Sequence, residues 1–328
     1  MSEVTRRRWR PDRFATACAL VAIVGACSSD PIADRSATST PSAAVTTVAT
    51  TSSSGPPFRA TTTTILALTS RITDAPTAAQ VANGLTAAER AAAHGEPGAG
   101  ATQQLWYRYL AANSDLDEEV LAGVGDDVRP YVERIVRARE LGEARRAADP
   151  NPSAPSATLP AWTIVEPLAP DELRGYYAEA EATTGVAWYW LAAIHLQETR
   201  MGRIIGVSSA GAVGPMQFLP ATWAGCCVGD PSIPHDAIIG AATYLAQSGG
   251  PADMTIALHQ YNPNDSYVAT VTAFAENMRD NPKLYDAYRE WQVFYGSSAG
   301  TVRLPIGYSH TAPIDAATYL AAHPQDAG

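Results

Sequence analysis

Lysine is nearly missing from this 328-residue chain: of 23 basic residues, one, Lys283, is a lysine. Such a bias points to a GC-rich bacterial genome and carries no information about activity. Basic charge as a whole is scarce, since 33 acidic residues leave a formal net charge of −10. With no basic stripe to neutralise phosphates, nucleic acid is excluded as a partner. No glycine-rich phosphate loop is present. The four cysteines are Cys18, Cys27 and the adjacent pair Cys226 and Cys227, too few and too badly spaced for a metal box. No metal and no cofactor is therefore expected. Long runs of alternating apolar and polar residues are missing too, which argues against an extended sheet and for a mainly α chain.

What is present begins with a charged leader. Arg6, Arg7, Arg8, Arg10 and Arg13 precede an apolar run from Phe14 to Ala26, the pattern of a secretory signal peptide over residues 1–26. The run is shorter than the roughly twenty residues a permanent membrane span needs. Val24-Gly25-Ala26-Cys27 resembles a lipobox, which implies acylation of Cys27 and a lipid anchor on the outer face of the cytoplasmic membrane or in the cell wall. The competing readings are ordinary cleavage or an uncleaved anchor. The leader's five arginines outweigh Glu3 and Asp12, so removing it leaves a chain at −13.

From Ser28 to Thr64 the chain is Ser, Thr, Ala and Pro, a composition that cannot bury enough surface to fold. Residues 27–64 thus read as a lipidated cysteine and a tether, whose reach at ~3.3 Å per residue is several nanometres. Residues 65–149 read as a helical segment: Thr77 to Ala93, Gln103 to Ala112 and Val128 to Arg145 carry helical periodicity, with turn signals at Gly95, Pro97, Gly98, Asp126 and Asp127. A Pro/Ser/Ala stretch marks a linker over 150–161. Residues 162–294 are again helical, near Asp171 to Thr183, Val186 to Met201, His235 to Gln247, Ala252 to His259, Ser266 to Arg279 and Leu284 to Phe294. Residues 295–328 read as a loosely packed tail with a short extended piece at Thr301 to Leu304. Adjacent cysteines join only in a strained vicinal disulfide, so Cys226 and Cys227 are expected as small core residues or a redox-labile pair, with no assigned role.

The residue that carries chemistry is Glu198. Ala187, Trp190, Leu191, Ile194 and Met201 recur at helical spacing, and Glu198 falls four after Ile194 on the same face. A carboxyl so placed is poorly solvated, its charged form is disfavoured, and its pKa rises toward the range a general acid requires. The bland alternative is a rim glutamate paired with Arg200 or Arg203. The irregular connection from Gly202 to Gly214 is expected to fold back over this helix and build one wall of a cleft. His195, one turn earlier, reads as a satisfied helix residue outside the site.

Glu198-Thr199-Arg200, Ser208, Gly211-Ala212, Gly214-Pro215-Met216-Gln217, Pro220-Ala221-Thr222-Trp223 and Tyr261-Asn262-Pro263, in that order, resemble the soluble lytic transglycosylase domain of the lysozyme superfamily. The resemblance covers roughly residues 186 to 275 and looks most like exported lipoproteins of actinobacteria. It implies a lysozyme-like catalytic domain preceded by a smaller helical segment. It implies Glu198 as the catalytic acid, with Ser208, Met216, Gln217, Tyr261 and Asn262 lining the saccharide site and Tyr261 facing the glutamate. Three departures stand out: Thr199 where serine is common, a loop to Gln217 one residue longer, and Pro263-Asn264 where Ala-Gly is usual.

The implied substrate is the glycan strand of peptidoglycan, cut between N-acetylmuramic acid and N-acetylglucosamine. Most glycosidases use two carboxylates; here Glu198 stands alone, because Asp230, Asp236 and Asp253 sit in turn or helix-start contexts suited to capping. The resemblance supplies the alternative, in which the substrate's acetamido carbonyl attacks the anomeric carbon. A hydrolytic muramidase on the same fold and a non-catalytic peptidoglycan-binding lipoprotein remain open. Protein partners are not identified.

Overall fold

A computed structural model of the chain describes residues 76–328. The leader, Cys27, the tether and the first residues of the N-terminal helical segment lie outside the described residues. The described chain is mainly helical, with three two-stranded sheets. None of its helices is long and apolar enough to cross a membrane.

Local chemistry starts and stops the helices. Helix α1 (Ala78–His94) opens with a capping box, in which Thr77 accepts from the Gln80 N–H and Gln80 returns a bond to the Thr77 N–H. It ends at Gly95, whose φ of 75° suits a residue without Cβ. Then follow α2 (Ala99–Ala112), α3 (Asp117–Gly123) and α4 (Arg129–Ala147). Beyond them come α5 (Pro170–Thr184), α6 (Trp188–Thr199), α7 (Pro220–Cys226) and α8 (Pro234–Gln247). Pro170, Pro220 and Pro234 each open a helix, where the missing N–H has no intrahelical partner to lose. Asp253 and Asn264 cap α9 (Met254–Tyr261) and α10 (Asp265–Asp280), and α11 (Leu284–Arg289) follows.

These helices share one hydrophobic core. Val81 and Leu85 of α1, Leu110 of α2, Val132 and Ile135 of α4, Ile194 of α6 and Val271 and Phe274 of α10 belong to a single cluster of buried side chains. Helix α10 is its axis, with α4 against one side and α6 against another. The N-terminal helical segment is therefore not a separate body appended to the second region. Buried Asn277 of α10 donates to the Tyr131 carbonyl of α4 and to the Tyr288 hydroxyl, and its side-chain carbonyl accepts from Arg134. Trp291 donates its indole N–H to Gln103 of α2 at 2.9 Å.

The expectations for the linker and the tail need correcting. The presumed linker holds β1 (Thr158–Leu159), and the last predicted helix stops at Arg289, where the chain turns into β4 (Val293–Ser297) and β5 (Gly300–Leu304). Strands β4 and β5 form an antiparallel hairpin, while β6 (Ile314–Asp315) pairs with β1 and leads into α12 (Ala316–Ala322). Strand β2 (Thr163–Ile164) pairs with β3 (Ile204–Ile205). Leu159, Trp162, Ile164, Ile204, Val293, Val302, Leu304 and Tyr308 make a second, smaller core. The tail is thus packed. Its apolar residues are spaced too widely for a sequence pattern and meet only because the chain returns to residues 158–164. Cys226 and Cys227 are also corrected: they are joined as a disulfide, half-buried at the end of α7.

Gly100 marks how closely the two ends of the chain pack. A Cβ built there would lie 1.8 Å from the Ala287 carbonyl oxygen of α11. Gly100→Ala is expected to lower unfolding stability by about 1–3 kcal/mol through overpacking, measured by urea denaturation. A stability equal to the parent's would mean that α2 and α11 are not held at this distance.

Candidate active site

Helix α6 carries Glu198 in its last turn. Its N-terminus lacks a capping side chain of its own, and Glu181 of α5 supplies the acceptor for the Trp188 N–H at 3.1 Å. The one-sided stripe expected for this helix is corrected by its surroundings. Every residue from Leu191 to Leu196 is buried, as are Glu198, Thr199 and Arg200. A helix enclosed on nearly all faces sits inside the molecule, and Glu198 is desolvated for that reason. It keeps 8 % of its surface exposed, enough for contact with a ligand from solution.

The carboxyl has one hydrogen-bond donor of note. The Tyr267 hydroxyl, from the first turn of α10, donates to Glu198 Oε1 at 2.7 Å. Burial pushes the Glu198 carboxyl from 4.5 up to about 7, with the Tyr267 bond opposing part of the rise. The carbonyls at the C-terminus of α6 act in the same direction as burial. Arg200 donates to the Leu196 carbonyl at 2.6 Å, and Arg203 pairs with Glu166 at 3.5 Å.

Helix α6 ends in an unusual way. Arg200 and Met201 both take left-handed backbone conformations, with φ of 56° and 58°, before Gly202 at 85°. The Thr199 hydroxyl donates to the Pro215 carbonyl at 2.6 Å and accepts from the Gly202 N–H at 3.1 Å, stitching the helix end to the segment that holds Gln217. Threonine at 199 keeps the hydroxyl that this stitch needs. From Val213 to Phe218 the chain forms a tight hairpin, closed by Val213 N–H to Phe218 O at 2.9 Å and Phe218 N–H to Val213 O at 3.0 Å. Gly214 has φ of 76°, and a Cβ there would lie 1.7 Å from the Pro231 carbonyl oxygen, so only glycine fits. Gln217 is the third non-glycine residue with positive φ, at 51°. Such a backbone costs about 1–3 kcal/mol and persists where the surroundings enforce it.

The Thr199–Pro215 bond ties the hairpin that carries Gln217 to the end of the Glu198 helix. Gln217 is buried, and its Nε2 donates to the Gly214 carbonyl at 2.8 Å and, more weakly, to the Gly206 carbonyl at 3.4 Å. With both amide hydrogens so directed, Oε1 is the atom left to accept, and it has no protein partner. An acceptor kept buried in this way costs about 1–3 kcal/mol unless a donor arrives. Ser208 folds its own loop, its hydroxyl oxygen accepting the Ala212 N–H at 3.0 Å, which leaves the hydroxyl proton to donate. Met216 is fully buried beneath the hairpin.

Tyr261 lies within electrostatic reach of Glu198, as expected, but its hydroxyl is bonded elsewhere. The Tyr261 hydroxyl donates to the Met216 carbonyl at 2.6 Å, and its ring lies parallel to that of Tyr267, 6.4 Å between centroids. The hydroxyl bonded to Glu198 belongs to Tyr267, which sequence reasoning missed. The available signal was Asn264: it caps α10, accepting from the Ser266 N–H at 3.0 Å and the Tyr267 N–H at 3.4 Å. Pro263-Asn264 thus starts a helix that carries Tyr267 to Glu198. Asn262 enters through its backbone, which donates to the Leu258 carbonyl at 2.8 Å and accepts from Asn264 at 2.7 Å.

Other titratable groups are occupied elsewhere. Asp253 caps α9, Asp236 accepts from the Asp230 N–H at 3.0 Å, and Asp230 accepts from the Ser232 N–H at 2.8 Å. His195 is buried, bonded to the Tyr177 hydroxyl at 2.7 Å, and burial drives its pKa down to about 3, so it stays neutral. Among the described residues no group of three or more His, Cys, Asp and Glu is placed to hold a metal ion. What the arrangement offers is one protonated carboxyl, a tyrosine hydroxyl to steady it, and amide and hydroxyl groups on the segments that follow α6. No family model, curated protein or solved structure matches the chain.

The raised carboxyl has a thermodynamic consequence. Its folded-state value lies above the unfolded one, so the stability it permits is fully present below pH 4.5 and is lost as pH rises through about 7. Buried Glu89, hydrogen-bonded to Tyr107, is also raised to about 7 and acts with the same sign. Asp117, raised by burial to about 6, adds a third contribution of that sign, and Glu198→Gln removes one of the three. Its stability relative to the parent is expected to increase between pH 4.5 and pH 8 by on the order of 3 kcal/mol, read from urea unfolding at each pH. A constant difference across that range would show that Glu198 titrates normally.

Proposed function

We propose that the chain is an exported, lipid-anchored lytic transglycosylase that cuts peptidoglycan glycan strands between N-acetylmuramic acid and N-acetylglucosamine. The observation that carries this reading is the buried Glu198 carboxyl, raised to about 7 and bonded to a tyrosine hydroxyl, with no second carboxylate bonded to it among the described residues. The ordered resemblance of residues 186 to 275 to the transglycosylase domain of the lysozyme superfamily supports it, as does the mainly α architecture.

In the proposed reaction, protonated Glu198 gives its proton to the glycosidic oxygen as the bond to the anomeric carbon breaks. The acetamido carbonyl oxygen of the muramic residue attacks that carbon and forms an oxazolinium. Glu198, now a carboxylate, takes the proton from the 6-hydroxyl. The 6-oxygen then displaces the acetamido oxygen, closing a 1,6-anhydro ring and restoring the acetamido group. Water is not consumed. An acid poised near neutrality suits both halves, since it must donate first and accept second. Tyr267 steadies the carboxylate form, while Gln217 Oε1 accepts an N–H or O–H from the sugar and Ser208 donates to it. Met216 floors the hairpin that sets Gln217, and Tyr261 holds that hairpin through the Met216 carbonyl.

Mass spectrometry of fragments released from purified peptidoglycan tests the proposal. The parent is expected to yield 1,6-anhydro ends, lighter by one water than hydrolytic ends, and folded Glu198→Gln to release them at least about 100-fold more slowly. Reducing ends instead would mean a hydrolase. Binding to peptidoglycan without any fragment would mean a binding protein. Tyr267→Phe supplies a separate check. Removing the bond that favours the charged form raises the Glu198 pKa further, so the alkaline fall of kcat/KM, expected near pH 7, should move to higher pH. An unmoved or lowered limb would detach Tyr267 from the acid.

A further inference from the structure

The segments that carry the candidate site residues are anchored in two different cores. Glu198 lies on α6, whose Ile194 and Leu196 belong to the large cluster, and Gln217 lies between Met216 and Phe218 of the same cluster. The loop that carries Ser208 begins at Ile204, which is buried in the small C-terminal cluster. That loop is held from behind by successive layers of backbone. Strand β3 pairs with β2, Thr163 opposite Ile205 and Ile164 opposite Ile204. On its other side the segment around β2 bonds to residues 307–310, through Ile164 N–H to Tyr308 O at 2.8 Å and His310 N–H to Trp162 O at 3.1 Å. Trp162 closes the arrangement. A Cβ at Gly206 would lie 2.2 Å from Trp162 Cδ1, so the indole rests directly on the Gly206 backbone. Gly206 does not have a positive φ, and its lack of a side chain answers to the indole alone.

Resting on the proposed function, we propose that Trp162 is a positioning residue for substrate binding, through which the C-terminal β module sets the Gly206–Ser208 loop and the Gln217 amide. The Gly206 carbonyl accepts from Gln217 Nε2, and Ser208 stands two residues further on. With the indole in place, the loop has one position, Gln217 Oε1 is fixed as an acceptor, and the Ser208 hydroxyl stands ready as a donor. Without it, the loop loses its backing and the sugar must order it on binding. The acid is untouched, because Glu198 is held by Tyr267 of α10 and not by this loop. The effect therefore falls on KM and leaves kcat nearly unchanged, as expected for a contact that is equally present in ground and transition states.

The test compares the full-length parent with Trp162→Ala, Gly206→Ala and Trp162→Phe. Cleavage of solubilised glycan strands gives kcat and KM, and hydrogen–deuterium exchange of the ligand-free proteins gives order in residues 204–212. Trp162→Ala and Gly206→Ala disturb one contact from its two sides, so both should raise KM by about tenfold with kcat within about twofold. Both should speed exchange in 204–212 while residues 188–199 keep their protection. Trp162→Phe keeps a ring over Gly206 and should restore both readouts. Unchanged exchange in 204–212, a fall in kcat at constant KM, or protection lost equally in 188–199 would overturn the proposal. If the parent releases no fragments, the proposed function fails, and the exchange comparison still decides whether Trp162 sets the loop.

Discussion

Desolvation of one carboxyl governs the candidate site. Glu198 would be an ordinary surface acid if α6 were an ordinary surface helix. Instead α6 is enclosed on nearly every side by α5, α10 and the hairpin around Gln217, and water is kept from all but a small part of the residue. A rise from 4.5 to about 7 corresponds to on the order of 3 kcal/mol of preference for the neutral acid. That preference exceeds the opposing effect of the Tyr267 hydroxyl, so the group stays a proton donor up to neutral pH. The same burial that readies the acid also weakens the fold when the acid ionises.

The fold bears this penalty by spreading the support for Glu198 across the chain. Helix α10 contributes Tyr267 to the acid and at the same time forms the axis against which the N-terminal helices pack. This explains why α1 to α4 share a core with the second region. Asn277, one face of α10 away, bonds to the backbone of α4 and to Tyr288 of α11. Displacing the N-terminal helices would expose α10 and loosen the hold of Tyr267 on Glu198. The second core plays a comparable part for the Ser208 loop, which Ile204 anchors among residues contributed by both ends of the 156–328 segment.

Backbone strain concentrates in the same region. The described residues include three non-glycine positions with positive φ, Arg200, Met201 and Gln217, and all lie within twenty residues of Glu198 along the chain. Two end the acid's own helix and the third is the buried amide. Each is opposed by a local bond or a close contact: the Met201 N–H to His195 O at 3.0 Å, the Thr199 hydroxyl to Pro215 O, and the backbone hairpin around Gly214. Strain of this kind is retained where the position of a side chain matters more than local stability.

Much was legible in the sequence because it was written in local chemistry. Thr77 at the start of α1, Asp253 as a cap and Gly95 as a stop mark helix ends through bonds to neighbours a few residues away. The importance of Glu198 and Gln217 was legible from their types and order. Other features depended on contacts between distant segments. That the hydroxyl bonded to Glu198 is that of Tyr267 follows from how the Asn264 cap aims α10. The packing of residues 295–328 follows from their return to β1 and β2. The burial of α6, which gives Glu198 its proton, follows from helices that precede and follow it in the chain. Sequence by itself determined where helices begin and end and which residues have chemistry to offer, because caps, turns and periodicity act over a few residues. Tertiary structure alone decided which of those residues meet and how dry their meeting place is, because burial is a property of everything that surrounds a group.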